Sequence, residues 1–167
     1  MKRLFIETKI LADDAGTVEG VAWPFGTPDR VGDVIEKGAF ASANLPLPML
    51  FGHDPNDPVG AWTEATEAAD GLRLKGRLLV DDVARAREVH ALVKAGAVRG
   101  LSIGFVTRKA APRKGGRTIS ALDLIECSLV TVPMHPGARV TSAKSAVEAL
   151  SIAEAIHRAA RAFTEKN

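Results

Sequence analysis

Residues 100–105 read GLSIGF, a Gly-x-Ser-x-Gly pattern centred on Ser102. A serine hydroxyl becomes a nucleophile once a base takes its proton, and the same residue type is also an ordinary small side chain in a strand. Three readings follow: a nucleophile elbow between a strand and a helix, a strand-borne nucleophile served by a base from elsewhere, or a structural serine. The elbow needs a helix directly after the serine, with an acid and then a histidine downstream. The residues after Ser102 are IGFVTRK; Ile103, Phe105 and Val106 favour extended backbone, and Gly104 weakens a helix. Asp123 and His135 do lie downstream, but close together across an expected strand end. The chain is also short for the sheet such hydrolases build. The elbow is set aside, and the other two readings stay open.

A base for Ser102 must come from four histidines. His90 falls inside the charged stretch ARAREVHALVKAG and His157 lies between Ile156 and Arg158; both read as boundary or surface residues. His135, between Met134 and Pro136, reads as a solvated turn residue. His53 differs, because it ends the apolar run LPMLFG and precedes DPNDPVG. That puts an imidazole at the rim of a sheet, where a loop carries function on a rigid support. Asp54 and Asp57 beside it raise a metal site, but no second histidine stands at ligand spacing, and no metal or cofactor is expected.

The elements that must position these residues are mostly strands. KRLFIETKIL and TVEGVAWPF flank the turn signal DDAG and predict a hairpin. A short helix-like patch is expected around Lys37–Ala43, ended by Asn44, Pro46 and Pro48. PVGAWTEATEAA and GLRLKGRLLV predict two strands joined at Asp70-Gly71. In the second, Leu72, Leu74 and Gly76 alternate with Arg73, Lys75 and Arg77, the period of a sheet with one wet face. DDVARAREVHALVKAG predicts a helix capped by Asp81 or Asp82, ended by Gly96, with Val89, Leu92 and Val93 as its apolar stripe. VRGLSIGFVTRK and LDLIECSLVTV predict two more strands around RKAAPRKGGR (108–117), an exposed basic loop; Pro133 and Pro136 stop the second. From Ser142 the chain turns Ala-rich, and Val147, Leu150, Ile156 and Phe163 predict an amphipathic C-terminal helix. Strands with one inserted helix and one terminal helix argue for a β-rich α+β barrel or sandwich rather than βαβ units.

Bulk properties narrow the classes. With 167 residues the chain has one core-forming domain, read here as 1–141, with 142–167 as a helix and tail. The balance of 46% hydrophobic and 25% charged residues is globular, and a net charge of +2 is too small for nucleic acid to be the main partner. Cys127 is the single cysteine, which forbids an intrachain disulfide and fits a reducing compartment. No run of about 18 apolar residues exists, and the N-terminus lacks a signal-peptide core, so no membrane is expected and the setting is cytoplasmic.

Five stretches occur in a telling order: GDVIEKGAF (32–40), LPMLFGHDPNDPVGAW (47–62), DGLRLKGRLL (70–79), VHALVKAGAVRGLSIGF (89–105) and DLIECSLVTVPMHPGARV (123–140). Together they resemble the prohead protease family of tailed bacteriophages, serine proteases of capsid maturation, over roughly residues 15 to 141. That family in turn resembles the herpesvirus assemblin proteases, a β-barrel with surrounding helices and a serine nucleophile on a strand. The resemblance implies His53 of GHDP as base and Ser102 of GLSIGF as nucleophile. Glu126 of LIECSLV is taken as the third member that orients the base, although the assemblins use a second histidine there. On an extended strand Glu126 and Ser128 point to one face, so Ser128 is the alternative. A backbone N–H of the VPMHPG turn is the candidate oxyanion donor. Gly100 and Gly104 are expected to let a substrate backbone approach. His135 and Cys127 depart from the family pattern without touching base or nucleophile.

The resemblance implies an endopeptidase packaged in the prohead, within the cytoplasm of a bacterial host. It would cut the scaffold, or the N-terminal scaffolding segment of the major capsid protein, and possible further features are self-cleavage and a homo-oligomer. The source implied is a tailed phage, a prophage or a gene transfer agent. Rival readings are a catalytically silent assembly or scaffolding protein of the same shape, and a small serine esterase.

Overall fold

The computed structural model describes residues 14–140. The expected strand KRLFIETKIL, the terminal helix and the 141/142 boundary lie outside the described residues.

Seven strands close into a barrel. In chain order the elements are β1 (Thr17–Pro24), β2 (Val34–Ile35), β3 (Leu47–Phe51), β4 (Pro58–Glu67), β5 (Gly71–Leu78), α1 (Ala84–Lys94), β6 (Gly100–Arg113), β7 (Gly116–Val130) and β8 (Arg139–Val140). The ring runs β7-β3-β4-β5-β1-β8-β6 and closes through β6–β7, while β2 adds in parallel to the early part of β7. The β-rich expectation with an inserted helix holds.

Alternation builds the wall. In β5, Leu72, Leu74, Gly76 and Leu78 are buried and Lys75 and Arg77 are exposed. The β4–β5 hairpin turns at Asp70 as its residues predict, and Arg73 clamps the Asp70 carboxylate at 2.6 Å. Inside the barrel Val18, Trp62, Leu74, Leu101, Cys127 and Leu129 pack together. Burying each large apolar side chain contributes roughly 1.5–3 kcal/mol. Trp62 spans this core, and its indole N–H donates to the Cys127 carbonyl at 2.8 Å, so the one polar atom of the ring is satisfied.

Several local expectations differ from the fold. The Lys37–Ala43 patch is a run of turns rather than a helix. Ala39, Ala41 and Ala43 donate to carbonyls three residues back, Gly38 adopts φ 96°, and Glu67 takes the N–H groups of Gly38 and Phe40. A remote carboxylate thus takes two N–H groups from the start of this run. Helix α1 begins at Ala84 and its N-cap position falls on Val83, which offers no side-chain cap, so neither Asp81 nor Asp82 takes the expected place; Asp81 pairs with Arg77. The helix ends as predicted at Gly96, whose φ of 74° suits a residue without Cβ. Its buried face is Ala86, Val89 and Val93, and Leu92 is 38% exposed.

The basic run 108–117 is not a loop. β6 and β7 continue through it to a two-residue turn at Lys114-Gly115. Arg108 binds Asp123, Arg117 forks onto the buried Asp33, and Arg113 donates to the Gly32 carbonyl. The Arg117 guanidinium holds the Asp33 carboxyl below its ordinary range. Arg113 and Arg117 therefore tie the hairpin to the segment at Gly32-Asp33, and Arg108 links its two strands. No helix among the described residues is long and apolar enough to cross a membrane.

Candidate active site

The site is assembled on β7, between the strand that leads to His53 and the strand that carries Ser102. β3 runs parallel to β7 with Leu50 opposite Ser128, and β6 runs antiparallel with Ser102 opposite Ser128 and Gly104 opposite Glu126. Directly opposed residues share a face, as do residues two apart on one strand. Ser102, Gly104, Glu126 and Ser128 therefore occupy one face, and Leu101, Ile103, Cys127 and Leu129 belong to the core on the other.

Ser102 is borne on a strand that continues through to Arg113, so no helix follows and the elbow is excluded. It is 5% exposed.

His53 follows β3 in a tight reversal. Gly52 and His53 both take left-handed backbone, at φ 64° and 63°. For a non-glycine residue this conformation costs roughly 1–2 kcal/mol and is found where surroundings enforce it. The enforcement is visible: Gly52 N–H donates to the Leu129 carbonyl at 3.1 Å and His53 N–H to Ser128 Oγ at 3.0 Å. The loop is closed by Phe51 N–H to the Asp57 carbonyl. Arg85 of α1 ties it down from outside, pairing with Asp57 at 3.0 Å and lying over the Phe51 ring. Asp57 is thus a structural anchor. Among the described residues no group of three or more His, Cys, Asp or Glu side chains forms a metal cage.

The reversal brings the imidazole onto Glu126. His53 Nδ1 lies 2.7 Å from Glu126 Oε1, with the ring 44% exposed and the carboxylate 12%. A carboxylate only accepts, so Nδ1 carries the proton and Nε2 is left as the basic nitrogen. The second carboxylate oxygen, Oε2, accepts from Ser128 Oγ at 2.7 Å. Among the described residues the ring bonds to Glu126, and no hydrogen bond joins it to Ser102.

The glycines of the GLSIGF frame make room for the protein's own groups. A Cβ on Gly100 would meet Pro133 at 2.8 Å, and one on Gly104 would strike the Glu126 carboxylate. His135 is also corrected. It is buried rather than solvated, stacked edge-on against Trp23 at 4.9 Å. Its Nδ1 accepts from Gly137 N–H and its Nε2 faces the Thr27 carbonyl, and burial pushes its pKa down. Gly137 N–H and Ala138 N–H are thereby engaged within the turn, and neither is available to an oxyanion. Burial pushes the Cys127 thiol well up, with the nearby Glu126 charge adding to it, so Cys127 is an inert core residue. Ser128 is the residue that sequence reasoning left undefined; its spacing from Glu126 was the available signal.

A barrel with a serine on one strand, and an oriented histidine–carboxylate pair on the same sheet face, has the residue types of a serine hydrolase. The chain matches the Caudovirus prohead serine protease family over residues 5–152 and belongs to that family. It is 34% identical over 148 residues to the capsid polyprotein of Pseudomonas phage PAJU2, covering 84% of this chain and 22% of that protein. It is 31% identical to the prohead protease of Enterobacteria phage HK97, covering 78% of this chain and 61% of the relative. It is 28% identical to the prohead protease of Escherichia phage T5, covering 84% and 71%. Among solved structures it is similar to the KSHV protease in complex with a hexapeptide phosphonate inhibitor. The TM-score is 0.48 at 16% identity, covering 74% of this chain and 63% of that one.

Proposed function

We propose that this protein is the capsid-maturation endopeptidase of a tailed phage or phage-like particle, with Ser102 as nucleophile, His53 as base and Glu126 as the group that orients the base. The observation that carries this reading is the 2.7 Å bond from His53 Nδ1 to Glu126 Oε1, on the sheet face that also holds Ser102. Ser102 Oγ attacks the scissile carbonyl carbon while its proton passes to His53 Nε2. The same proton then goes to the leaving amine, and water repeats the sequence on the acyl-enzyme. Glu126 holds the ring in the tautomer that leaves Nε2 free and balances the imidazolium charge. Proton transfer requires His53 Nε2 within hydrogen-bond reach of Ser102 Oγ, a contact that commonly tightens only in the substrate complex.

The substrate proposed is the major capsid protein's scaffolding segment or a separate scaffold protein, cut inside the prohead in the bacterial cytoplasm. The names of the relatives support it: two are prohead proteases, and the third is a capsid polyprotein. Self-cleavage and a homo-oligomer belong to the same proposal.

The test is co-expression with the cognate capsid protein and mass measurement of both chains. Shortened capsid protein with wild type, and full-length capsid protein with Ser102→Ala, is the expected pair. Processing that survives Ser102→Ala overturns the assignment. Hydrolysis of small esters without capsid cleavage would indicate an esterase. Intact particles without any cleavage would indicate a silent assembly protein.

A further inference from the structure

We propose that Ser128 is a positioning residue of this site, a hydroxyl that locks the backbone of His53 and the carboxylate of Glu126 into one closed circuit. The inference rests on the His53–Glu126 reading above and adds a residue to it.

Ser128 is fully buried, and both of its hydrogen bonds have a fixed direction. The His53 amide can only donate, so Ser128 Oγ accepts there, at 3.0 Å. The Glu126 carboxylate can only accept, so the hydroxyl proton lies on Oε2, at 2.7 Å. Oε1 takes His53 Nδ1–H at 2.7 Å. The circuit runs from the His53 amide through Ser128 and Glu126 back to the His53 ring. Each carboxylate oxygen has its own donor, which removes the freedom of the carboxylate to rotate. The histidine is held at both ends, at the left-handed backbone by Ser128 and at the ring by Glu126.

The strand pairings make Ser128 the common reference point of the site. It lies opposite Leu50, three residues before His53, and opposite Ser102 on the other side. One hydroxyl therefore sets the base relative to the strand that bears the nucleophile. An alanine there removes a donor and an acceptor together, leaving the His53 amide and Oε2 without that partner in a part-buried place.

The test compares wild type, Ser128→Ala, Ser128→Thr and Ser128→Cys by ¹⁵N NMR of the His53 ring in the substrate-free protein, alongside peptide cleavage and thermal melting. Wild type is expected to show the Nδ1–H tautomer with a slowly exchanging proton. Ser128→Ala should lose that slow exchange and at least about tenfold in kcat, with KM little changed. Ser128→Thr, which keeps the hydroxyl, should restore both. Should Ser128→Ala fail to fold, Ser128→Cys decides, since it replaces the hydroxyl by a weak thiol donor: loss of slow exchange supports the role, and retention overturns it. An unchanged ring signal and rate in Ser128→Ala overturns the proposal, and equal loss in Ser128→Thr does too, because packing rather than the hydroxyl would then be the cause. The NMR arm needs no turnover, so it stands or falls separately from the protease assignment.

Discussion

Gly104 lies beneath the side chain of Glu126. A Cβ built on Gly104 would overlap Oε1 and come within 3.0 Å of both Cγ and Cδ of that residue. The second glycine of the Gly-x-Ser-x-Gly frame therefore makes room for the carboxylate that orients the histidine.

This relationship predicts a split between stability and turnover for Gly104→Ala. The added methyl meets one side chain rather than backbone, but moving it breaks the carboxylate's bonds to His53 and Ser128, a loss to the fold of about 1–3 kcal/mol. The displaced carboxylate leaves His53 without its partner. Thermal melting should fall modestly, while cleavage of a peptide or of capsid protein per folded molecule falls by about tenfold or more. A variant with a normal rate would show that the carboxylate need not sit over residue 104.

Glu126→Gln tests the orienting role directly. The amide keeps the shape and can offer its N–H₂ to the ring, which favours the wrong imidazole tautomer. The loss expected is at least about tenfold and up to about 10⁴-fold, smaller than for Ser102→Ala because base and nucleophile remain. Measuring melting temperature and peptide cleavage together separates this from a structural role, which would lower the melting point and spare the turnover of folded molecules.

The buried His135 should make stability fall on mild acidification. Burial holds its pKa below the ordinary imidazole value, against weaker opposing effects from the Thr27 carbonyl and Asp29. Below about pH 6.5 the unfolded chain binds a proton that the folded chain resists, so this contribution is full above that value. It is lost progressively as pH falls from there toward the lower folded pKa. Melting curves from about pH 7.5 to about pH 5 should fall more steeply for wild type than for His135→Gln, which cannot charge. Parallel curves for the two proteins would remove His135 as the cause.

Cys127 should be silent. Its thiol is buried and its pKa is raised, so a thiol reagent such as DTNB should not react with native protein and should leave proteolysis intact. In denaturant one equivalent should react, matching the single cysteine. Inactivation of native protein by a thiol reagent would place Cys127 in the chemistry and weaken the case for Ser102.

Local pattern was enough for much of the wall. The alternation of β5, the Asp70 turn, the Gly96 helix end and the strand character of residues 100–106 are properties of consecutive residues, and all are present in the fold. The strand context of Ser102 also argued against an elbow, which the continuous β6 then excludes. What the sequence could not contain is the distance between His53 and Glu126, 73 positions apart, which is set by the parallel pairing of β3 with β7. The same pairing decides that Ser128 bonds the His53 amide, and the β6–β7 register decides that Gly104 underlies Glu126. Where local signals failed, a remote partner had often intervened: Glu67 holds the turns at 37–43, and Trp23 and Thr27 enclose His135. Periodicity records which face of an element is apolar. Which polar groups meet across the barrel depends on strand order and register, and those exist only once the chain has closed on itself.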